Sequence, residues 1–128
     1  MQYLDTSAAV KLVVEEPESA ALRQWLDQVG EPVSSDLLRT ELQRVVRRVA
    51  PELMPLARAV LDTIVLQRLG PSAFERAGTL SPDSLRSLDA LHLASALELA
   101  DGLDHFVTYD DRLAHAAAVQ GLNVVAPT

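Results

Sequence analysis

Apolar positions along this chain alternate between short runs and helical stripes from one end to the other. Met1-Gln2-Tyr3-Leu4 is too short for a helix and reads as a first strand. Thr6 or Ser7 can cap a helix over residues 8 to about 15. Pro17 suits the first position of a second helix, which runs to Val29 and stops at Gly30. Residues 31–34 form a weak second strand. Ser35 or Asp36 can cap a third helix, where Leu38, Leu42, Val45, Val46 and Val49 recur at i, i+4, i+7, i+8 and i+11 as one apolar stripe. Pro51 opens a helix to about Ile64, with Pro55 tolerable only in its first turns. Periodicity does not decide whether residues 65–69 end that helix or form a short strand.

The second half repeats the alternation. Residues 71–79 read as a short helix and Ser81-Pro82-Asp83 as a turn. Residues 88–100 are apolar nearly all round, the mark of a buried helix, and Asp101-Gly102 stops it. Residues 106–109 form a strand, 111–119 a helix ended by Gly121, and 122–126 a last strand. Continuous apolar strands separated by helices imply an α/β fold with a parallel sheet covered on both faces. Residues 1–128 show no repeat, linker or low-complexity segment and read as one domain.

Against that pattern four carboxylates stand out, each where an apolar segment begins or ends. Asp5 closes the first strand and Asp110 the strand His105-Phe106-Val107-Thr108-Tyr109; Asp89 leads into the buried helix. Glu41 lies about 40° around the helical wheel from Val45, at the rim of the apolar stripe. In an open parallel sheet, ligands bind outside the carboxyl ends of the strands, where Asp5 and Asp110 both fall. Burying such acids together is opposed by desolvation and by like-charge repulsion. A divalent cation removes that opposition, and hard oxygen donors suit Mg²⁺ or Mn²⁺.

Each acid also has a structural reading. Asp5 and Asp110 are good helix caps, Asp89 complements the dipole of its helix, and Glu41 can pair with Arg44 or Arg48. Taken singly, each is the stronger reading; that all four fall at one edge favours a metal-dependent enzyme.

Composition narrows the classes. The absence of cysteine excludes disulfides, zinc–thiolate sites and cysteine nucleophiles, and fits a cytoplasmic location. The N-terminus reads as a strand rather than a signal peptide, and no stretch reaches the roughly 18–20 apolar residues of a membrane span. A net charge of −7 argues against broad adhesion to nucleic acid. Setting the four acids aside removes more than half of that imbalance.

Four segments, in this order, resemble the PIN-domain family, most closely VapC-like ribonuclease toxins of bacterial toxin–antitoxin pairs. They are Tyr3-Leu4-Asp5-Thr6-Ser7-Ala8, Leu38-Arg39-Thr40-Glu41-Leu42-Gln43-Arg44, Leu88-Asp89-Ala90-Leu91-His92-Leu93-Ala94 and Thr108-Tyr109-Asp110-Asp111-Arg112-Leu113. No one motif is specific, whereas the ordered set spans nearly the whole chain. The resemblance implies a three-layer α/β/α PIN-like fold and an acidic metal site of Asp5, Glu41, Asp89 and Asp110. It also implies an RNA substrate, a cognate antitoxin as partner, and a homodimer.

Within that expectation Asp5, Asp89 and Asp110 mainly bind Mg²⁺, with Mn²⁺ able to substitute, and Glu41 serves as ligand, water-orienting base or both. Thr6 and Thr108 can orient a ligand or hold a water, or act only as cap and strand residues. Asp111 reads as the first acid of its helix; only the resemblance selects Asp110 over it. His92, three residues from Asp89, reads first as a hydrogen-bonded core residue. Arg44, Arg48 and Arg112 can contact RNA phosphates, whereas Arg39 and Arg47 suit a solvated face. The amphipathic surface over residues 8–25 can receive the antitoxin, unless Trp25 is core.

Two rivals remain. A catalytically silent PIN-fold interaction domain would keep the acids without turnover. A receiver-like phosphoacceptor domain would need a late lysine, and the only lysine is Lys11.

Overall fold

The computed structural model describes residues 1–128, the side chain of Ala100 excepted. Five parallel strands form one sheet in the order β3-β2-β1-β4-β5: β1 Gln2–Leu4, β2 Pro32–Ser35, β3 Val65–Gln67, β4 His105–Val107 and β5 Val124–Val125. The helices are α1 Thr6–Lys11, α2 Ser19–Val29, α3 Leu37–Val49, α4 Met54–Asp62, α5 Pro71–Ala77, α6 Ser87–Leu99 and α7 Asp111–Val119. The expected parallel α/β sheet is therefore present.

Period-2 alternation in β1 and β4 builds the layers. Tyr3 sits opposite Phe106 and Leu4 opposite Val107, so each pair faces one side of the sheet. Leu4 and Val107 pack with Ala8, Ala9, Leu22, Leu38, Leu42, Val46, Ala57 and Leu61 from α1–α4. Tyr3 and Phe106 stack at 5.4 Å between ring centroids and pack with Leu93, Ala96, Leu113 and Ala116 from α6 and α7. Burying a leucine or valine in either layer contributes roughly 1.5–3 kcal/mol.

β1 lies at the centre, and the chain leaves it in one direction through α1 and α2 to β2, while β4 leads through α7 to β5 on the other side. The β1–β4 boundary is thus the point where strand order reverses, and a crevice opens there beyond the carboxyl ends.

Several boundaries differ from the sequence expectation. The first helix begins at Thr6 and ends at Lys11, because Asp5 rather than Thr6 or Ser7 caps it. Pro17 lies in a turn outside α2, whose N-cap is Glu18. The helix opened by Pro51 is split into a 3₁₀ turn, Pro51–Leu53, and α4, and the ambiguous residues that follow become edge strand β3. β4 is shorter than expected at its end, since Thr108 and Tyr109 turn toward α7 instead of continuing the strand. Trp25 is partly buried, packing edge-on to His105 at 5.2 Å and against the α1–α4 layer.

Candidate active site

Asp5 follows the last residue of β1 and lies beside Thr108, which follows the last residue of β4. The Asp5 carboxylate is 3 % exposed and is held by three donors. Oδ1 accepts from the Ser7 hydroxyl at 2.7 Å and from the Ala8 N–H at 2.9 Å; Oδ2 accepts from the Thr108 hydroxyl. Both hydroxyls are in turn fixed by the β4–α7 turn. Ser7 Oγ accepts from the Tyr109 N–H at 2.9 Å and Thr108 Oγ1 from the Asp110 N–H at 3.1 Å. The spacings Asp5-x-Ser7 and Thr108-x-Asp110 thus lock two strand ends around one acid.

Asp110 caps α7 through Oδ1, which accepts from the Leu113 N–H at 2.9 Å, and Asp110 itself is exposed. Asp111 is the first residue of α7, as its reading from sequence anticipated. Both strand-end acids are therefore helix caps. Capping engages one carboxylate oxygen, so it does not compete with a ligand role for the second oxygen of Asp110.

Glu41 does not pair with Arg44 or Arg48. Its Oε1 meets His92 Nε2 at 2.6 Å, linking α3 in one layer to α6 in the other past the sheet edge. His92 is 1 % exposed, with Nδ1 2.8 Å from the Tyr3 hydroxyl and Nε2 3.2 Å from Thr6 Oγ1. The core reading of His92 was right as to burial, yet this residue also touches the acid edge. The i+3 spacing from Asp89 was the signal in the sequence.

Asp89 stands in the first turn of α6, half-buried. Desolvation, then the charges of Asp110, Asp5 and Glu41, raise its pKa above the ordinary carboxylate value, against a smaller lowering by His92. Asp89 thus lies within the field of the other three acids. Burial likewise raises the pKa of Asp5, outweighing its three donors, and Tyr3 is pushed up to about 12, chiefly by burial.

Among the described residues no three His, Asp or Glu side chains are close enough to grip one ion as they stand. The donors nevertheless fit a hard cation. All are carboxylate oxygens, the Asp89 carboxyl is raised by desolvation and then by the charges of the other three, and among the described residues no lysine or arginine forms an ion pair with any of the four. The arrangement is an open acidic mouth rather than a closed cage.

Beside that mouth lies a cavity of about 350 Å³ lined by Ser84, Leu85, Arg86, Asp89, Asp110, Asp111 and Arg112. Arg112 carries a signal in the sequence, following the Asp110-Asp111 pair, whereas Arg86 lies in a connection with no periodic pattern. Arg44 and Arg48 are exposed on α3 and do not line this cavity. No helix is long and apolar enough to cross a membrane among the described residues.

Residues 2–119 match the model of the PIN domain family. Over 126 residues the chain is 43% identical to a protein named Ribonuclease VapC46 from Mycobacterium tuberculosis, covering 98% of this chain and 97% of that one. It is 41% identical over 132 residues to Ribonuclease VapC47 of the same species, at 99% and 97% coverage. Among solved structures it resembles M. tuberculosis VapC20, described as a Sarcin-Ricin loop cleaving toxin, with a TM-score of 0.78 at 15% identity over 99% of this chain and 100% of that chain. VapBC2 from Rickettsia felis, solved bound to a DNA fragment from its promoter, gives a TM-score of 0.72 at 16% identity over the full length of both chains.

Proposed function

This chain belongs to the PIN-domain family, and from that premise we propose that it is a divalent-metal-dependent endoribonuclease, the toxin of a VapBC-type pair. The observation that carries the metal requirement is the acid mouth itself. Asp5, Glu41, Asp89 and Asp110 come from four separated segments, and among the described residues no lysine or arginine pairs with any of them.

Asp5, Asp89 and Asp110 would hold Mg²⁺, or Mn²⁺ in its place, with Asp5 as the buried anchor and Glu41 as ligand, water-orienting base or both. When bound, the ion supplies Lewis acidity toward a phosphate oxygen and lowers the pKa of the attacking water. The chain's own contribution is orientation. Thr108 and Ser7 hold Asp5 rigid, and Thr108 ties the Asp110 backbone to it. Glu41 keeps Oε2 for the mouth while Oε1 is engaged by His92, so it can accept a proton from water there. Thr6, beside the Glu41–His92 contact, can orient that water.

Arg112 and Arg86 flank Asp110 and Asp89 across the cavity. They would carry the phosphates adjoining the scissile one, offsetting the repulsion between an acidic mouth and a polyanion. Arg44 and Arg48 on α3 would make more distant phosphate contacts. A cognate antitoxin and a homodimer complete the reading, which places the protein in the cytoplasm.

Incubation of total RNA with the purified chain, followed by end mapping, tests this. Cleavage should require Mg²⁺ or Mn²⁺, stop with EDTA, and be lost in Asp89→Asn. Equal cleavage by the variant rejects the assigned mouth; cleavage in EDTA rejects the metal mechanism; no cleavage by the natural chain favours the silent interaction domain.

A further inference from the structure

We propose that buried His92, oriented by Tyr3, is the positioning residue that sets Glu41 in the acid mouth. This inference rests on the ribonuclease reading above and adds to it a second layer of hydrogen bonds behind the acids.

The contacts run in one line from the core to the site. The Tyr3 hydroxyl lies 2.8 Å from His92 Nδ1, and His92 Nε2 lies 2.6 Å from Glu41 Oε1. Tyr3 and His92 are both buried, and their rings meet edge to face at 5.8 Å and 78°. The imidazole is therefore fixed in place and in tilt. An ionised carboxylate only accepts hydrogen bonds, so Nε2 carries the hydrogen in this contact whatever the state of Nδ1. The Tyr3 hydroxyl supports this pattern by donating to Nδ1. Thr6 Oγ1, 3.2 Å from Nε2, accepts from the same hydrogen, which leaves its own hydrogen free to turn outward.

The consequence for Glu41 is geometric. It sits on a helix of the opposite layer, at the rim of that helix's apolar stripe, and its side chain has several rotatable bonds. Without a fixed partner the carboxylate would swing into solvent beside Arg44. With His92 holding Oε1, the orientation of Oε2 is set by the core rather than by the surface. Partners of this kind behind a ligand typically change activity or metal affinity by about 10–100-fold.

The test uses the full chain in five forms besides the natural one: Glu41→Gln, His92→Leu, His92→Gln, Tyr3→Phe, and Glu41→Gln with His92→Leu. For the cleavage of a short single-stranded RNA, His92→Leu should lower kcat about 10–100-fold with KM within about twofold. His92→Gln, whose amide can donate from near the Nε2 position, should recover most of that loss. Tyr3→Phe keeps the ring and the core, and should lower kcat a few-fold. Adding His92→Leu to Glu41→Gln should bring no further loss, because the positioned group is already gone.

On metal-free protein, nitrogen NMR of the imidazole should show a protonated Nε2 whose resonance moves in Glu41→Gln. An unprotonated Nε2, or an equal loss from His92→Leu in both backgrounds, would overturn the proposal and leave His92 a packing residue. Should His92→Leu fail to fold, Tyr3→Phe with unchanged kcat overturns it instead. Full activity of Glu41→Gln would remove the role assigned to Glu41, and the positioning role with it; in that case the NMR arm still reads the contact alone.

Discussion

Replacing Asp5 by asparagine separates what the buried charge does to the fold from what it does for cation binding. An ionised carboxylate taken out of water loses several kcal/mol of hydration. Three charge-assisted hydrogen bonds, from Ser7, Ala8 and Thr108, return about 1.5–3 kcal/mol each. The two effects nearly balance, and the raised pKa of Asp5 shows that desolvation prevails. Asparagine keeps the acceptor for Ser7 and Ala8, while its amide donates to Thr108 Oγ1, whose hydrogen can turn to Ser7 Oγ at 3.4 Å. The metal-free variant should therefore be more stable than the natural chain, by about 1–2 kcal/mol. With an unfolding entropy of ~2.1 cal/mol/K per residue, that is a rise in Tm of roughly 4–7 °C for 128 residues.

The difference should depend on pH in a fixed direction. The folded pKa values of Asp5 and Asp89 lie above those of the unfolded chain. Between the two values the native state holds more protons, so stability falls as pH rises through that window and stays lower above it. Glu15, Glu18 and Asp104, whose pKa values are lowered by Arg23, Lys11 and the N-terminal amine, act in the opposite sense. They are common to both proteins and cancel in the comparison. Mn²⁺ at a hundred times its Kd should raise the natural chain by about 2.7 kcal/mol, or about 10 °C, and the variant far less. Thermal melts followed by Trp25 fluorescence, in EDTA and in Mn²⁺ at two pH values, measure all of this. A variant that melts below the natural chain in EDTA, or gains as much from Mn²⁺, refutes the reasoning.

Other expectations follow from the same geometry. Asp110→Asn retains the cap on Leu113 and should leave Tm within a degree or two, whereas Asp110→Ala should lose about 1 kcal/mol, near 4 °C; RNA cleavage should fall in both by about a hundredfold or more. Arg86→Gln and Arg112→Gln should each raise KM for single-stranded RNA and reduce the slope of log affinity against log salt by about 0.7, with kcat little changed in a titration of substrate. Leu42→Ala opens a cavity beneath α3 and should lower stability by about 2–5 kcal/mol in urea unfolding, with activity at low temperature retained.

Much of the fold was legible because period and length agree in the long elements. The stripe of α3 and the mostly apolar α6 follow from the side chains alone, and parallel pairing follows from strands alternating with helices. The short elements were less legible for a physical reason. β3 exists because Val65, Leu66 and Gln67 pair with Val33, Ser34 and Ser35, a contact that no local pattern encodes. The end of β4 is set by the Ser7 and Thr108 hydroxyls taking the backbone N–H groups of the following turn. For the site, the positions of Asp5 and Asp110 were readable as strand ends. The partner of Glu41 was not, since its helix offers arginines at the usual spacing while the observed partner, His92, lies 51 residues away. Arg86 carried no periodic signal at all.

For Asp5 and Asp110 the observed role as helix cap and the proposed role as ligand are compatible in one design. An N-cap must stand where a strand has ended and a helix begins, and in a parallel α/β sheet that is also where ligands bind. Asp5 and Asp110 cap α1 and α7 from adjacent strand ends, so the capping hydrogen bonds aim their backbones at one crevice. A cap fixes χ1 and one oxygen, which is the pre-ordering a ligand requires. The opposing forces are desolvation and then repulsion among the acids, which together raise the pKa of Asp89. Caps, hydroxyls and His92 hold the acids in place, and among the described residues no lysine or arginine pairs with them. On the proposed reading the mouth would stay ordered enough to bind a cation and electrically unsatisfied enough to need one.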